Sequence, residues 1–219
     1  MPFFSVLIII IDSSHQLLYT GILTGRTSQV KSFVGRMNKA LDGNNLRGKW
    51  HWGKLSRKSR EALKRPLSQL FSEYPYLHLN VLQHRKPEKV DSKSWYIHVL
   101  PARIAQKLES WLQRSEGEIT LLVDNDYSVT SGGEGTRHFI ESLIRQMANR
   151  LTGKETSIRG AGELSAAIKQ PDDRMMNVYA TVVEKNSELV GALDMLLGIY
   201  LYEPQLFSEM KNVHYTKIN

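Results

Sequence analysis

The sequence predicts an α/β fold, a mixed β-sheet flanked by helices. Three observations predict it. Apolar runs of strand length, at Phe3 to Ile11, Ile119 to Val123 and Met175 to Val183, contain many β-branched residues. Between them lie stretches whose apolar residues recur at spacings of three and four. No clear linker divides the 219 residues, so one domain over 1–219 is expected, with a basic helical segment at about 44–73.

Phe3 to Ile11 reads as a central strand covered on both faces, followed by a turn at Asp12-Ser13-Ser14-His15-Gln16. Leu17 to Thr24 reads as a second strand, antiparallel to the first, that Gly25 breaks. Thr27 or Ser28 is placed to cap a helix to about Leu41, with Val30, Phe33, Val34, Met37 and Leu41 on one face. Asp42 to Asn45 then turns the chain. A helix from Ser56 is expected to bury Ala62, Leu63, Leu67, Leu70 and Phe71 and to be bent or split at Pro66.

Tyr76 to Gln83 alternates as a strand does, and His84 to Ser94 is a polar loop. Trp95 to Leu100 is either a short strand or the lead into a helix that Pro101 starts and that runs to Arg114. Glu118 to Val123 is a buried strand, Ser128 to Gly135 a flexible loop, and Thr136 to Leu151 an amphipathic helix. A weak strand at Glu155 to Ile158 and a short helix at Gly162 to Lys169 precede the strand Met175 to Val183. Ser187 caps the last helix, to about Tyr202, and the tail from Glu203 shows little pattern.

Composition narrows the class. At 41% hydrophobic and 23% charged, the chain is an ordinary globular one. It has no cysteine, which excludes disulfides, thiolate metal sites and a cysteine nucleophile, and fits a cytoplasmic setting. The N-terminal MPFFSVLIIIID lacks the basic start and cleavage site of a signal peptide. No apolar run reaches membrane-spanning length. A net charge of +7 favours a polyanionic partner such as nucleic acid.

Three aspartates stand at sharp places. Asp12 follows the first apolar strand, Asp124 ends the strand Ile119 to Val123, and Asp194 interrupts the apolar helix. Bare carboxylates are costly beside apolar segments unless their charge is compensated. If the two strands are parallel neighbours, their acids meet at the edge where α/β proteins place ligands. A divalent cation would relieve their repulsion, and Mg²⁺ or Mn²⁺ suits oxygen ligands and substrate phosphate. Paired ions of this kind hydrolyse phosphodiesters. Asp126 is a possible fourth ligand or a turn residue, and Glu184 and Glu188 flank the last helix within reach.

The most basic stretch runs from Arg47 to Arg65. Arg47, Lys49, Lys54, Arg57, Lys58 and Arg60 can contact phosphates while Trp52 stacks on bases or sugars. Equally, the cations can form a solvated helix face, with Trp50 and Trp52 anchoring a loop. His51 and Lys54 are the members expected nearest a scissile phosphate. Gly132-Gly133-Glu134-Gly135 lacks the lysine and spacing of a phosphate-binding loop. The chain also has no HExxH, no zinc spacing and no GxSxG.

Five segments, in order, resemble a large prokaryotic family of ribonuclease H-like fold. They are IIIIDSS at Ile8 to Ser14, LLYTGILTG at Leu17 to Gly25, HWGKL at His51 to Leu55, LLVDND at Leu121 to Asp126, and VEKNSELVGALDMLLG at Val183 to Gly198. The resemblance implies that Asp12, Asp124 and Asp194 are metal ligands of a ribonuclease H-like nuclease. Two departures stand out. The family's Asp-Glu-Ser-Gly is Asp12-Ser13-Ser14-His15 here, and no glutamate lies between Thr27 and Leu41.

The expected function is therefore Mg²⁺- or Mn²⁺-dependent phosphodiester hydrolysis of nucleic acid. Asp12, Asp124, Asp194, His51 and Lys54 form the catalytic set, with Asp126 as an added ligand. The alternative is a catalytically silent module that binds nucleic acid, a protein partner or a second copy of itself. A small-molecule hydrolase is a third reading, and it needs a closed apolar pocket.

Overall fold

A computed structural model describes residues 4–14, 19–84, 94–125, 134–151, 153–155, 158–160, 163–184 and 187–218. Asp126, Gly132 and Gly133, and most of the expected loops at 84–94 and 128–135, lie outside them, as do His15 and Gln16 of the first turn. The described elements are α/β, with a mixed sheet flanked by helices. The strands are β1 (Phe4–Ser14), β2 (Tyr19–Arg26), β3 (His78–His84), β4 (Ser115–Asp124), β5 (Lys154–Glu155), β6 (Glu163–Lys169), β7 (Met175–Val183) and β8 (Val213–Ile218). The helices are α1 (Thr27–Gly43), α2 (Arg57–Ser72), α3 (Leu100–Leu112), α4 (Glu134–Arg150) and α5 (Glu188–Tyr202). No described helix is long and apolar enough to cross a membrane.

Two units share the chain. The first comprises 1–9, 84–183 and 218–219, and the second 10–83 and 184–217. Strand β1 contributes to both.

In the first unit the strand order is β5-β6-β7-β4-β1. β4 pairs with β7 in parallel, Ile119 opposite Val178 and Asp124 opposite Val183. β6 pairs with β7 antiparallel. Residues 163–169, expected as a short helix, are this strand. Leu164, Ala166 and Ile168 alternate inward, and the period of two with a ready partner in β7 outweighs the helix propensity of Ala166 and Ala167. A π-type turn over Trp95–Val99 leads into α3, so that segment is the helix lead-in and not a strand.

His84, the last residue of β3, is buried with its ring 6.2 Å from that of Trp95 and 6.4 Å from that of Tyr96. Burial pushes its pKa down to about 4. The unfolded chain takes up this proton near pH 6.5, whereas the folded one resists until about pH 4. Between those values the unfolded state holds more protons, so stability falls as pH falls. The expected slope approaches about 1.4 kcal/mol per pH unit for this one group. Urea unfolding across that window should show this slope contribution in the wild type and its loss in His84→Gln. An unchanged slope in the variant would refute the assignment.

In the second unit the order is β1-β2-β3-β8, with β2 and β3 antiparallel. Gly25 lies inside β2 and does not break it. A Cβ there would stand 2.3 Å from Leu77 Cδ2, so the glycine serves close packing. α1 buries Val30, Phe33, Val34, Met37 and Leu41, the face read from the sequence, although its cap position is Arg26 and makes no side-chain cap bond. Ser56 does cap α2, its hydroxyl accepting from Ser59 N–H at 3.1 Å.

α2 runs unbroken through Pro66, which is exposed, so water can take the carbonyl that the missing N–H leaves. Ala62 faces solvent instead of the core. The patternless tail contains a 3₁₀ turn, Pro204–Phe207, and edge strand β8. Asn212 anchors it, donating to the carbonyls of Tyr74 and Leu77 and accepting from Leu79 N–H.

Candidate active site

The second unit assembles its site from one helix and one loop. α5 is apolar on every side, and from Val190 to Ile199 Asp194 alone is not fully buried. Two glycines in it receive tryptophans from the loop 50–54. A Cβ on Gly191 would lie 2.3 Å from Trp50 Cβ, and one on Gly198 would lie 2.2 Å from Trp52 Cδ1. Both tryptophans are 4% exposed. The stacking role expected of Trp52 does not survive this burial, and the loop-anchoring reading holds: the indole rests against helix backbone and offers no face to a base.

Seating the loop brings His51 to Asp194. The Asp194 Oδ2 accepts from His51 Nδ1 at 2.9 Å and from the Trp52 backbone N–H at 2.7 Å. A carboxylate can only accept, so the shared proton lies on Nδ1, and in the neutral imidazole Nε2 keeps the lone pair. The imidazole is 32% exposed and the carboxylate 16%. This is an oriented base whose free nitrogen can meet solvent or substrate. Among the described residues Asp194 pairs with His51 and with no lysine or arginine.

Beside this pair, α2 and α5 wall a cleft of about 270 Å³. Arg57, Arg60, Glu61 and Lys64 line it from α2, at i, i+3, i+4 and i+7, with Ile199, Tyr202 and Glu203 opposite and Trp52 in the lining. The Lys64 ammonium binds Glu203 and, at 2.6 Å, Glu61. Those two contacts, Glu203 first, hold its pKa above the usual lysine value. The Arg60 guanidinium lies 5.5 Å from the centroid of the Tyr202 ring.

The remaining expected residues are placed as follows. Asp12 is 1% exposed and stands within β1, which continues to Ser14. Asp124 is fully buried at the end of β4. Asp12 and Asp194 belong to the second unit and Asp124 to the first. Asp126 lies outside the described residues. Among the described residues no three His, Asp or Glu side chains form a group that could hold a metal ion. Lys54 and Lys58 are exposed, as are Lys49 and Arg47, the last 3.9 Å from Asp42. Glu188 accepts from Asn38 at 2.8 Å, and Glu184 is exposed.

Sequence reasoning missed Lys64, Tyr202 and Glu203, together with the roles of Gly191 and Gly198. Two glycines seven apart in an apolar helix were the available sign of a large side chain seated on that face. Searches of family models, curated proteins and solved structures found no match to this chain.

Proposed function

We propose that the protein hydrolyses phosphodiester bonds in nucleic acid, with His51 as general base and Asp194 as its positioning residue. The observation that carries this is the Asp194–His51 pair beside a cleft lined by arginines. Asp194 holds the imidazole with Nε2 free to take a proton from the attacking hydroxyl or water, and stabilises the imidazolium that forms. Arg57 and Arg60, in the adjoining cleft, hold the negatively charged strand next to this base. His51 and Trp52 are consecutive, so base and cleft lining are adjacent. The order of strands and helices, and the aspartates on β1, β4 and α5, support a ribonuclease H-like reading. The described residues do not make a three-ligand cation site, so no step is assigned to Mg²⁺ or Mn²⁺.

The silent binding module remains the second reading because of a specific observation. Asp194 also receives the Trp52 N–H, so the same carboxylate serves as a clamp for the loop. Labelled DNA and RNA strands separate the two readings, assayed with Mg²⁺, with Mn²⁺ and with chelator. His51→Ala is expected to lose at least about 100-fold in cleavage rate while binding the strand as wild type does. Equal cleavage by variant and wild type would remove His51 from the chemistry. Binding without cleavage by the wild type under all three conditions would establish the module.

A further inference from the structure

The charges in the α2–α5 cleft are unevenly matched. Arg57, Arg60 and Lys64 face Glu61 and Glu203, yet both carboxylates sit on Lys64. Among the described residues neither arginine forms an ion pair. Arg60 Nε is buried with no hydrogen-bond partner, and so is Trp52 Nε1, on a side chain 96% buried. Both atoms are donors only, so what would satisfy them is an acceptor. Desolvated donors without acceptors are uncommon and costly in a folded protein. A guanidinium fork matches the oxygens of a phosphate or carboxylate better than any cation or neutral group.

We propose that this cleft is a binding site for a phosphomonoester group, held by the guanidinium groups of Arg57 and Arg60 and by the Trp52 indole N–H. Two guanidinium forks and one indole N–H, none with a carboxylate hydrogen-bonded to it, suit the three free oxygens of a terminal phosphate better than the two of a strand-interior diester. The size agrees. At about 270 Å³ the cleft has room for a terminal phosphate group. Lys64, bridged between its two glutamates, forms a fixed wall. Tyr202 supports the Arg60 guanidinium from its ring face. The choice of a nucleic-acid end as the source of this group rests on the function proposed above, and the site itself does not. If the source is a strand end, the protein recognises and cuts near termini.

Calorimetric titration tests this with three probes at one low salt concentration. They are inorganic phosphate, an oligonucleotide bearing a terminal phosphate, and the same oligonucleotide with terminal hydroxyls. The phosphorylated strand is expected to bind at least about tenfold more tightly than the hydroxyl strand. Arg60→Gln should abolish that preference and Arg60→Lys should keep only part of it, since the lysine restores charge without the fork. His51→Ala should keep the full preference, so failure of the hydrolytic reading and failure of this site are read separately. Binding of inorganic phosphate that Arg60→Gln removes, with no preference between strands, would keep the site and assign it to a small phosphate ester. Equal affinity of wild type and Arg60→Gln for every probe would overturn the proposal.

Discussion

Replacing Asp194 by asparagine is expected to lower the rate of strand cleavage by at least about 100-fold while leaving strand affinity close to wild type. The reason lies in one oxygen. Asp194 Oδ2 accepts both the His51 Nδ1–H and the Trp52 N–H, 2.9 and 2.7 Å away. Asparagine is nearly isosteric, so its carbonyl can still accept from the backbone N–H and keep the loop seated. It has no charge to stabilise the imidazolium that forms when His51 takes a proton. If its amide turns toward the ring, it donates to Nδ1 and moves the histidine proton to Nε2, which then cannot act as base. Turnover and strand binding measured on the same preparations decide the matter, with a thermal melt as control for folding. A variant that turns over within a few-fold of wild type would leave Asp194 as a clamp only. Tight binding that falls in parallel with rate would place the carboxylate in substrate binding instead.

Gly198→Ala is expected to destabilise the protein by about 3 kcal/mol, although alanine favours a helix by about 1 kcal/mol over glycine. The added methyl would stand 2.2 Å from Trp52 Cδ1 and 2.3 Å from Cγ, far inside van der Waals contact. Trp52 is enclosed and cannot swing away without unseating the loop that carries His51. Stability and activity should therefore fall together. Urea unfolding of Gly198→Ala, Trp52→Leu and the double variant tests this as a cycle. The pair should be less destabilising than the sum of the two single changes, because the smaller side chain makes room for the methyl. Additive losses, or a Gly198→Ala protein as stable as wild type, would show that the tryptophan does not need the glycine.

Local pattern carried much of the fold. The run at β1 and the strand ending at Asp124 were legible because a buried strand announces itself in a few consecutive residues, and the strand 175–183 because its first six residues alternate between exposed and buried. The inward face of α1 was legible from spacing alone. The strand at 163–169 was misread because alanines weigh toward helix while its pairing partner, β7, lies outside any local window. β8 carried no signal because it is an edge strand held by Asn212 through long-range hydrogen bonds. Pro66 looked like a break, but it is exposed, and an exposed helix face tolerates a lost hydrogen bond.

The same division runs through the candidate site. By itself the sequence determined which side chains were available: an aspartate in an apolar helix, a histidine between two tryptophans, and a dense run of cations. Tertiary structure alone decided their partners. Asp194 meets His51 across 143 residues of chain because Gly191 and Gly198 let two indoles settle on α5. Lys64, not an arginine, takes both glutamates because it is the cation that stands between them. Periodicity is set by bonds between near neighbours and can be read in order, whereas the choice of charge partner depends on distances that exist only after the helices have packed.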